Sequence, residues 1–71
     1  MKITHLNSSS IESIVYDKET MRLIVEFARG AIYEYYDVDE FVVKMLIFAE
    51  SVGKYFHNNI QFKYRYTQIQ E

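Results

Sequence analysis

The alternation of apolar and polar residues predicts β-strands in the first half of the chain. Residues 11–17, 21–28 and 31–36 each alternate, the second of them most regularly, and short polar stretches suited to tight turns separate them. These strands are expected to form a three-stranded antiparallel meander. The residues expected on its core face are Ile14, Tyr16, Leu23, Val25, Phe27, Tyr33 and Tyr35. Tyr33 and Tyr35 also fit a second interpretation, in which their rings stack on a nucleobase.

Helical spacing replaces the alternation after Asp37. A helix is predicted from about Glu40 to Ala49, capped by Asp37 or Asp39. The stripe expected to cover the sheet comprises Phe41, Val42, Met45, Leu46, Phe48 and Ala49. The apolar residues outside this stripe, and Tyr36 on the opposite sheet face, need a second contact, either with the C-terminal segment or with another subunit, and a homo-oligomer is therefore expected. These interface candidates are Val43, Ile47 and Tyr36.

The last third of the chain predicts a second helix and one more extended segment. Ser51 can cap a short helix that ends near Asn58 and Asn59, and residues 60–66 alternate again as a fourth strand or an extended arm. Residues 1–8 are expected to be a flexible leader and residues 67–71 a frayed tail. The predicted fold is α+β: a meander covered by one helix, with a short second helix and a C-terminal strand or arm.

Composition narrows the class of protein. Seventy-one residues form a single domain, spanning 1–71, and the absence of cysteine excludes disulfides and thiolate metal sites. Only His5 and His57 are histidines, far apart, so no metal or other cofactor is predicted. Neither a run of about 20 apolar residues nor the apolar core of a signal peptide is present. We therefore expect a cytoplasmic protein with no membrane partner, in the host cytoplasm if a phage encodes it.

Residues 51–66 concentrate the candidate binding chemistry. The segment holds five aromatic residues and three cations, although the net charge of the chain is −2. Aromatic faces stack on bases, cations neutralise phosphate and amides bond to base edges. The predicted ligand-binding residues are Lys54, Tyr55, His57, Asn58, Lys63, Arg65 and Tyr66, with Ser9, Ser10 and Ser51 nearby. The alternative is that the aromatic residues close a thin core, that the cations are solvated, and that the serines form a turn.

Catalysis is not predicted. Ser51 or Ser9 with His57 would be the only candidates for nucleophilic chemistry, but their spacing does not fix a nucleophile beside a base. Capping explains the carboxylates at the start of the first helix. The protein is therefore expected to be a non-enzymatic binding module.

The order of motifs resembles the KTSC domain family, which is named for its occurrence at the C-terminus of some lysyl-tRNA synthetases. The similarity runs from about Ser8 to Tyr66. It rests on the Tyr-x-Tyr at Tyr33–Tyr35 and on the run AESVGKYF at residues 49–56. Family members usually carry proline after the valine that follows Tyr-x-Tyr, where this chain has Asp39. The resemblance implies a small α+β domain found free-standing in bacteria and phages, for which RNA binding has been suggested.

Two hypotheses for function follow. The first is a module that binds RNA or a small phosphorylated ligand through the residues named above. The alternative is a phage-encoded protein–protein adaptor or inhibitor, or a sponge that sequesters a host immune signalling nucleotide.

Overall fold

A computed structural model describes residues 2–4, 6 and 8–71 of the chain. Its elements, in order, are β1 (Lys2–Thr4), β2 (Ile11–Asp17), β3 (Arg22–Phe27), β4 (Ile32–Tyr35), α1 (Glu40–Ile47), α2 (Val52–Asn59) and β5 (Tyr66–Gln70). The strands form one antiparallel sheet in sequential order, β1-β2-β3-β4-β5. The α+β class and the meander β2–β4 are confirmed, and a further strand lies on each side of that meander.

Both predicted ends of the chain need correction. Lys2–Thr4 pair with β2, so the flexible leader is wrong for these residues, while positions 1, 5 and 7 lie outside the described residues. Tyr66–Gln70 form β5, so the frayed tail is wrong as well. The alternation at 60–66 is not a strand, because Ile60 is buried in the core as the C-cap of α2 and Phe62 has a positive φ of 68°. The predicted C-terminal strand is present as β5, but it begins at Tyr66 and not at Ile60, and its alternation is mostly polar.

The two helices cover one face of the sheet. Its strands contribute Ile14, Tyr16, Leu23, Val25 and Tyr35 to the core, as the alternation predicts. The helices and the segments beside them add Val38, Val43, Leu46, Val52, Phe56 and Ile60. The Tyr16 hydroxyl donates to the Val38 carbonyl oxygen at 2.6 Å, which ties β2 to the entrance of α1.

The orientation of α1 differs from the predicted one. Val43 and Leu46 face the core with no exposed surface, whereas Phe41 and Phe48 are 67 and 84 % exposed. The interface prediction is therefore wrong for Val43, and Ile47 is also partly buried against the core. An eight-residue helix with apolar residues on most sides does not define its buried face by pattern. Val38 is buried, and its N–H donates a hydrogen bond to the Met21 carbonyl oxygen. These two contacts fix the position of the chain just before α1.

Both helix starts carry the caps that the sequence indicates. The Asp39 carboxylate accepts a hydrogen bond from the Phe41 N–H at 2.8 Å, and the Ser51 hydroxyl accepts one from the Lys54 N–H at 3.3 Å. Each bond satisfies a backbone donor that the first helical turn leaves unpaired.

The face of the sheet away from the helices carries polar groups that pair within the chain. The Tyr36 ring lies 5.5 Å from the Arg22 guanidinium and 5.2 Å from that of Arg65. Arg22 also pairs with Glu34 at 3.8 Å, and Arg65 with Asp37 at 3.5 Å. The ring of Tyr36, which is predicted to be an interface residue, is therefore in contact with two arginines of its own chain.

Candidate functional site

A groove lined with aromatic rings lies where β4 and β5 meet the turn after α2. We call it the aromatic groove, and its volume is about 340 Å³, which is within the usual range of ligand pockets, about 300–1,000 Å³. The residues lining it are Phe27, Arg29, Tyr33, Tyr35, Gln61, Phe62 and Tyr66.

The strands set the positions of the tyrosine rings. Tyr33 and Tyr35 share a face of β4 because side chains alternate along a strand, and Tyr66 on β5 lies directly opposite Tyr35. The Tyr66 ring centroid is 5.6 Å from that of Tyr33 and 5.7 Å from that of Tyr35. Phe27, at the end of β3, meets Tyr33 edge to face at 5.7 Å. These distances are typical of aromatic clusters that stabilise one another.

The turn after α2 supplies the opposite wall. Phe62 takes the left-handed backbone conformation, and its side chain is 74 % exposed. Its neighbour Gln61 is held in place by His57, whose Nδ1 lies 2.9 Å from the Gln61 Oε1. The groove therefore presents an exposed ring on each side, Phe62 from the turn and Tyr66, 47 % exposed, from β5.

Tyr35 is a buried residue that lines the groove and carries a hydroxyl. The residue is only 2 % exposed, and burial, followed by Tyr33 and Tyr66, raises the pKa of its phenol to about 12. Within the described chain its hydroxyl has no hydrogen-bond partner, and no fully buried side-chain oxygen or nitrogen there is unpartnered. Because Tyr35 lines the groove and its hydroxyl is not fully buried, the hydroxyl is a candidate hydrogen-bond donor to a ligand there.

The charge of the groove favours an anion. Arg29 lies with its guanidinium 5.6 Å from the Phe27 ring, is exposed, and forms no ion pair with any described residue. None of the described residues that line the groove is acidic. A wider depression of about 530 Å³ near the β2–β3 turn is instead lined by Asp17, Glu19 and Glu40, with one lysine. Of the two, only the aromatic groove suits a ligand with phosphate.

The predicted binding residues do not form one site. Tyr66 alone among them lines the aromatic groove. Arg65 is on the opposite sheet face beside Tyr36. Tyr55 is partly buried against the core, while four others are exposed on or after α2. Those four are Lys54, His57, Asn58 and Lys63.

The predicted serines do meet, in a different place. Ser9, Ser10 and Ser51 line an open depression of about 520 Å³ beside Gly53. The Ser8 hydroxyl there accepts hydrogen bonds from the N–H groups of Ser10 and Ile11, each at 3.1 Å, which forms a turn. A Cβ at Gly53 would lie 3.1 Å from the Ser10 Oγ, so the glycine permits this close approach. The Ser51 hydroxyl caps α2 by accepting a hydrogen bond from the Lys54 N–H.

Sequence reasoning missed most of the aromatic groove. Phe27 was assigned to the core, and the exposed Phe62 was placed on a strand. One signal was present: the chain has seven tyrosines and five phenylalanines, more rings than a core of this size can hold. Which rings stay exposed depends on the path of the turn after α2.

The site belongs to a small α+β domain of a known kind. The KTSC domain family model matches residues 7–64, and the chain belongs to this family. A protein of Stutzerimonas stutzeri strain A1501 is 46 % identical over 72 residues, covering 97 % of this chain and 99 % of that protein. The crystal structure of a KTSC domain protein from Yersinia pestis superimposes with a TM-score of 0.88 at 30 % identity, covering 97 % of this chain and 96 % of that one.

A third relative is much longer than this chain. The lysine–tRNA ligase of Trichormus variabilis is 39 % identical over 61 residues, which are 86 % of this chain but 11 % of the ligase. The family thus includes a domain-sized protein and a segment of a large enzyme.

Among the described residues, no cluster of three or more histidine, cysteine, aspartate or glutamate side chains could hold a metal ion. Neither helix in the described part of the chain is long and apolar enough to cross a bilayer.

Proposed function

We propose that this protein is a non-enzymatic module that binds unpaired bases of RNA in the aromatic groove. The observation that carries the proposal is the pair of exposed rings, Phe62 and Tyr66, on a groove that Arg29 and Tyr35 also line. Sequence-specific proteins bind single-stranded RNA by the same combination of ring stacking and polar contact with base edges.

Five of the lining residues have a direct role in this proposal. A base stacks against Phe62 or Tyr66, which contributes about 1–3 kcal/mol per base. The Tyr35 hydroxyl donates a hydrogen bond to an acceptor on the base edge, and the Gln61 amide can donate or accept beside it. Arg29, at the rim, pairs with a backbone phosphate.

The comparison with lysine–tRNA ligases favours RNA over other anions. Such a ligase acts on a tRNA, whose loops and ends offer unpaired bases, and part of that enzyme is similar to this chain. The net charge of −2 and a single lining cation predict a short binding site. Neutralising one phosphate gives a salt slope of only about −0.7 for single-stranded nucleic acid.

Fluorescence anisotropy with short single-stranded RNA tests the proposal. Phe62→Ala is expected to weaken binding by about 5- to 150-fold, which corresponds to the loss of one stacked base. The matched control is Phe48→Ala, which removes another exposed ring, at the C-cap of α1, that does not line the groove. Equal affinity of wild type and Phe62→Ala, or an equal loss in both variants, would reject the groove as the site.

The exposed side of α1 favours a second candidate. Phe41, Met45 and Phe48 form an exposed apolar stripe, as on a protein-binding adaptor or inhibitor. In that case Phe48→Ala abolishes complex formation with the partner and Phe62→Ala does not.

The signalling-nucleotide sponge would use the aromatic groove and not the α1 surface. In that case a single nucleotide raises the melting temperature of the protein, and single-stranded RNA of any length does not bind.

A further inference from the structure

The two edges of the sheet are protected to different degrees. β1 has three residues, one of them Lys2, and short or lysine-bearing edge strands resist pairing with other chains. β5 has five residues, all of them exposed, with neither a charge nor a proline among them. Its sequence, YTQIQ, is open to the addition of another strand.

The hydrogen bonds of β5 show which backbone groups face outward. The Tyr36 N–H donates to the Arg65 carbonyl oxygen at 2.9 Å, so this pair is hydrogen-bonded. Bonded and non-bonded pairs alternate along an antiparallel ladder, and the irregularity in this ladder lies beyond the Tyr33–Gln68 pair. The N–H and C=O groups of Tyr66 and Gln68 therefore point away from β4.

We propose that β5 pairs antiparallel with β5 of a second copy of this chain, with Gln68 opposite Gln68 of the second copy. Two main-chain hydrogen bonds then join these residues across the two-fold axis. Tyr66 lies opposite Gln70, and Thr67 opposite Ile69. The two sheets become one continuous sheet.

The sequence of β5 is what identifies a second copy as the occupant. In this register no charge meets a like charge, because the strand has none. The glutamine amides at the axis can bond to each other, since each has a donor and an acceptor. Ile69, which is 53 % exposed, gains cover from Thr67 of the second copy. A foreign peptide strand would have no such matched register.

The contact is small, so the dimer is weak. A standard interface has about 20–30 residues on each side, whereas β5 supplies five. Dimerisation should therefore appear only as the protein concentration rises.

Pairing would also place one aromatic groove on each side of the two-fold axis, because Tyr66 belongs both to β5 and to the groove. This consequence for RNA rests on the proposed function, while the pairing itself does not. The following tests contain no RNA, so failure of the pairing and failure of RNA binding can be told apart.

Light scattering over a range of protein concentration is the first test. The average mass of wild type should rise from 8.6 kDa towards twice that value. Gln68→Pro removes an outward N–H without removing a β4–β5 bond, and should stay monomeric with unchanged circular dichroism. Gln68→Thr keeps the N–H and should dimerise like wild type. A wild type that stays monomeric, or a Gln68→Pro variant that dimerises equally well, overturns the proposal.

Cross-linking is the second test, and it does not depend on proline. The chain has no cysteine, so a single cysteine introduced by mutation reports on one position. Cα atoms of a bonded antiparallel pair are about 5.5 Å apart, within the range for a disulfide. Gln68→Cys should form a disulfide dimer on oxidation at least tenfold faster than Ile69→Cys, whose copies lie further apart along the strand. Equal rates in the two variants would rule out this register.

Discussion

The two faces of the sheet use tyrosine in opposite ways. On the open face, the Tyr36 ring lies between two guanidiniums, and its hydroxyl is 2.8 Å from the Thr67 Oγ1 and 3.2 Å from the Glu34 Oε1. On the helix face, the rings of Tyr33 and Tyr66 contact other rings, and the Tyr35 hydroxyl has no partner in the described chain. An exposed aromatic ring is therefore a candidate for binding only where the chain leaves its face and its polar groups unused.

The largest difference between the faces should appear in stability. Leu23 and Ile24 are neighbours on β3, but Leu23 is fully buried under the helices and Ile24 lies partly exposed on the open face. Leu23→Ala should lower the free energy of unfolding by about 2–5 kcal/mol, because it leaves a cavity. Ile24→Ala should cost roughly 1 kcal/mol, since part of that side chain is already in water.

Urea unfolding of both variants measures these costs. Similar losses for Leu23→Ala and Ile24→Ala would mean that something covers the open face in solution.

A smaller effect separates two buried tyrosines. Tyr16→Phe removes a hydroxyl that donates to the Val38 carbonyl, and should cost about 1 kcal/mol. Tyr35→Phe removes a hydroxyl with no partner in the described chain, so the free energy of unfolding should change by less than about 0.5 kcal/mol.

The same Tyr35→Phe protein should bind RNA several-fold more weakly, since it has lost the proposed donor to the base. Thermal unfolding and anisotropy on one sample check both statements. If Tyr35→Phe loses stability but keeps its affinity for RNA, the Tyr35 hydroxyl stabilises the fold and does not contact RNA.

The smallest effect concerns two arginines. Arg65 is engaged by Asp37 and Tyr36 on the open face, whereas Arg29, at the groove, forms no ion pair with any described residue. Arg29→Ala should reduce the salt slope of RNA binding by about 0.7, the value for one phosphate contact. Arg65→Ala should leave that slope unchanged and should alter stability by less than about 1 kcal/mol, as is usual for exposed ion pairs. The opposite pattern in a salt titration would move the site to the open face.

Local signals predicted the meander and the helix caps because each depends on a few adjacent residues. The alternation of Met21–Ala28 and the position of Gly30, at φ +101°, are examples. The rotation of α1 was not predictable in this way, because its apolar residues surround the helix and the buried side depends on Val38 and the Met21 carbonyl.

The candidate site was less predictable than the fold. Tyr66 was identified from its residue type, but Arg29 and Phe62 come from different turns and meet only in the folded chain. The predicted C-terminal strand is present, but it lies at Tyr66–Gln70 and not at 60–66, so the position of Tyr66 at the start of an edge strand became visible only in the structure.

The backbone conformation of Phe62 is unfavourable for a residue that has a side chain. A left-handed conformation costs a residue with a Cβ roughly 1–2 kcal/mol, which glycine avoids. A chain optimised for stability alone would carry glycine or asparagine there, and a phenylalanine whose ring is mostly in water recovers little of the loss. Alanine shares the same backbone cost, so Phe62→Ala changes the ring and leaves the strain as it is. Replacement of Phe62 by glycine should therefore raise the free energy of unfolding while it removes the exposed ring from the groove.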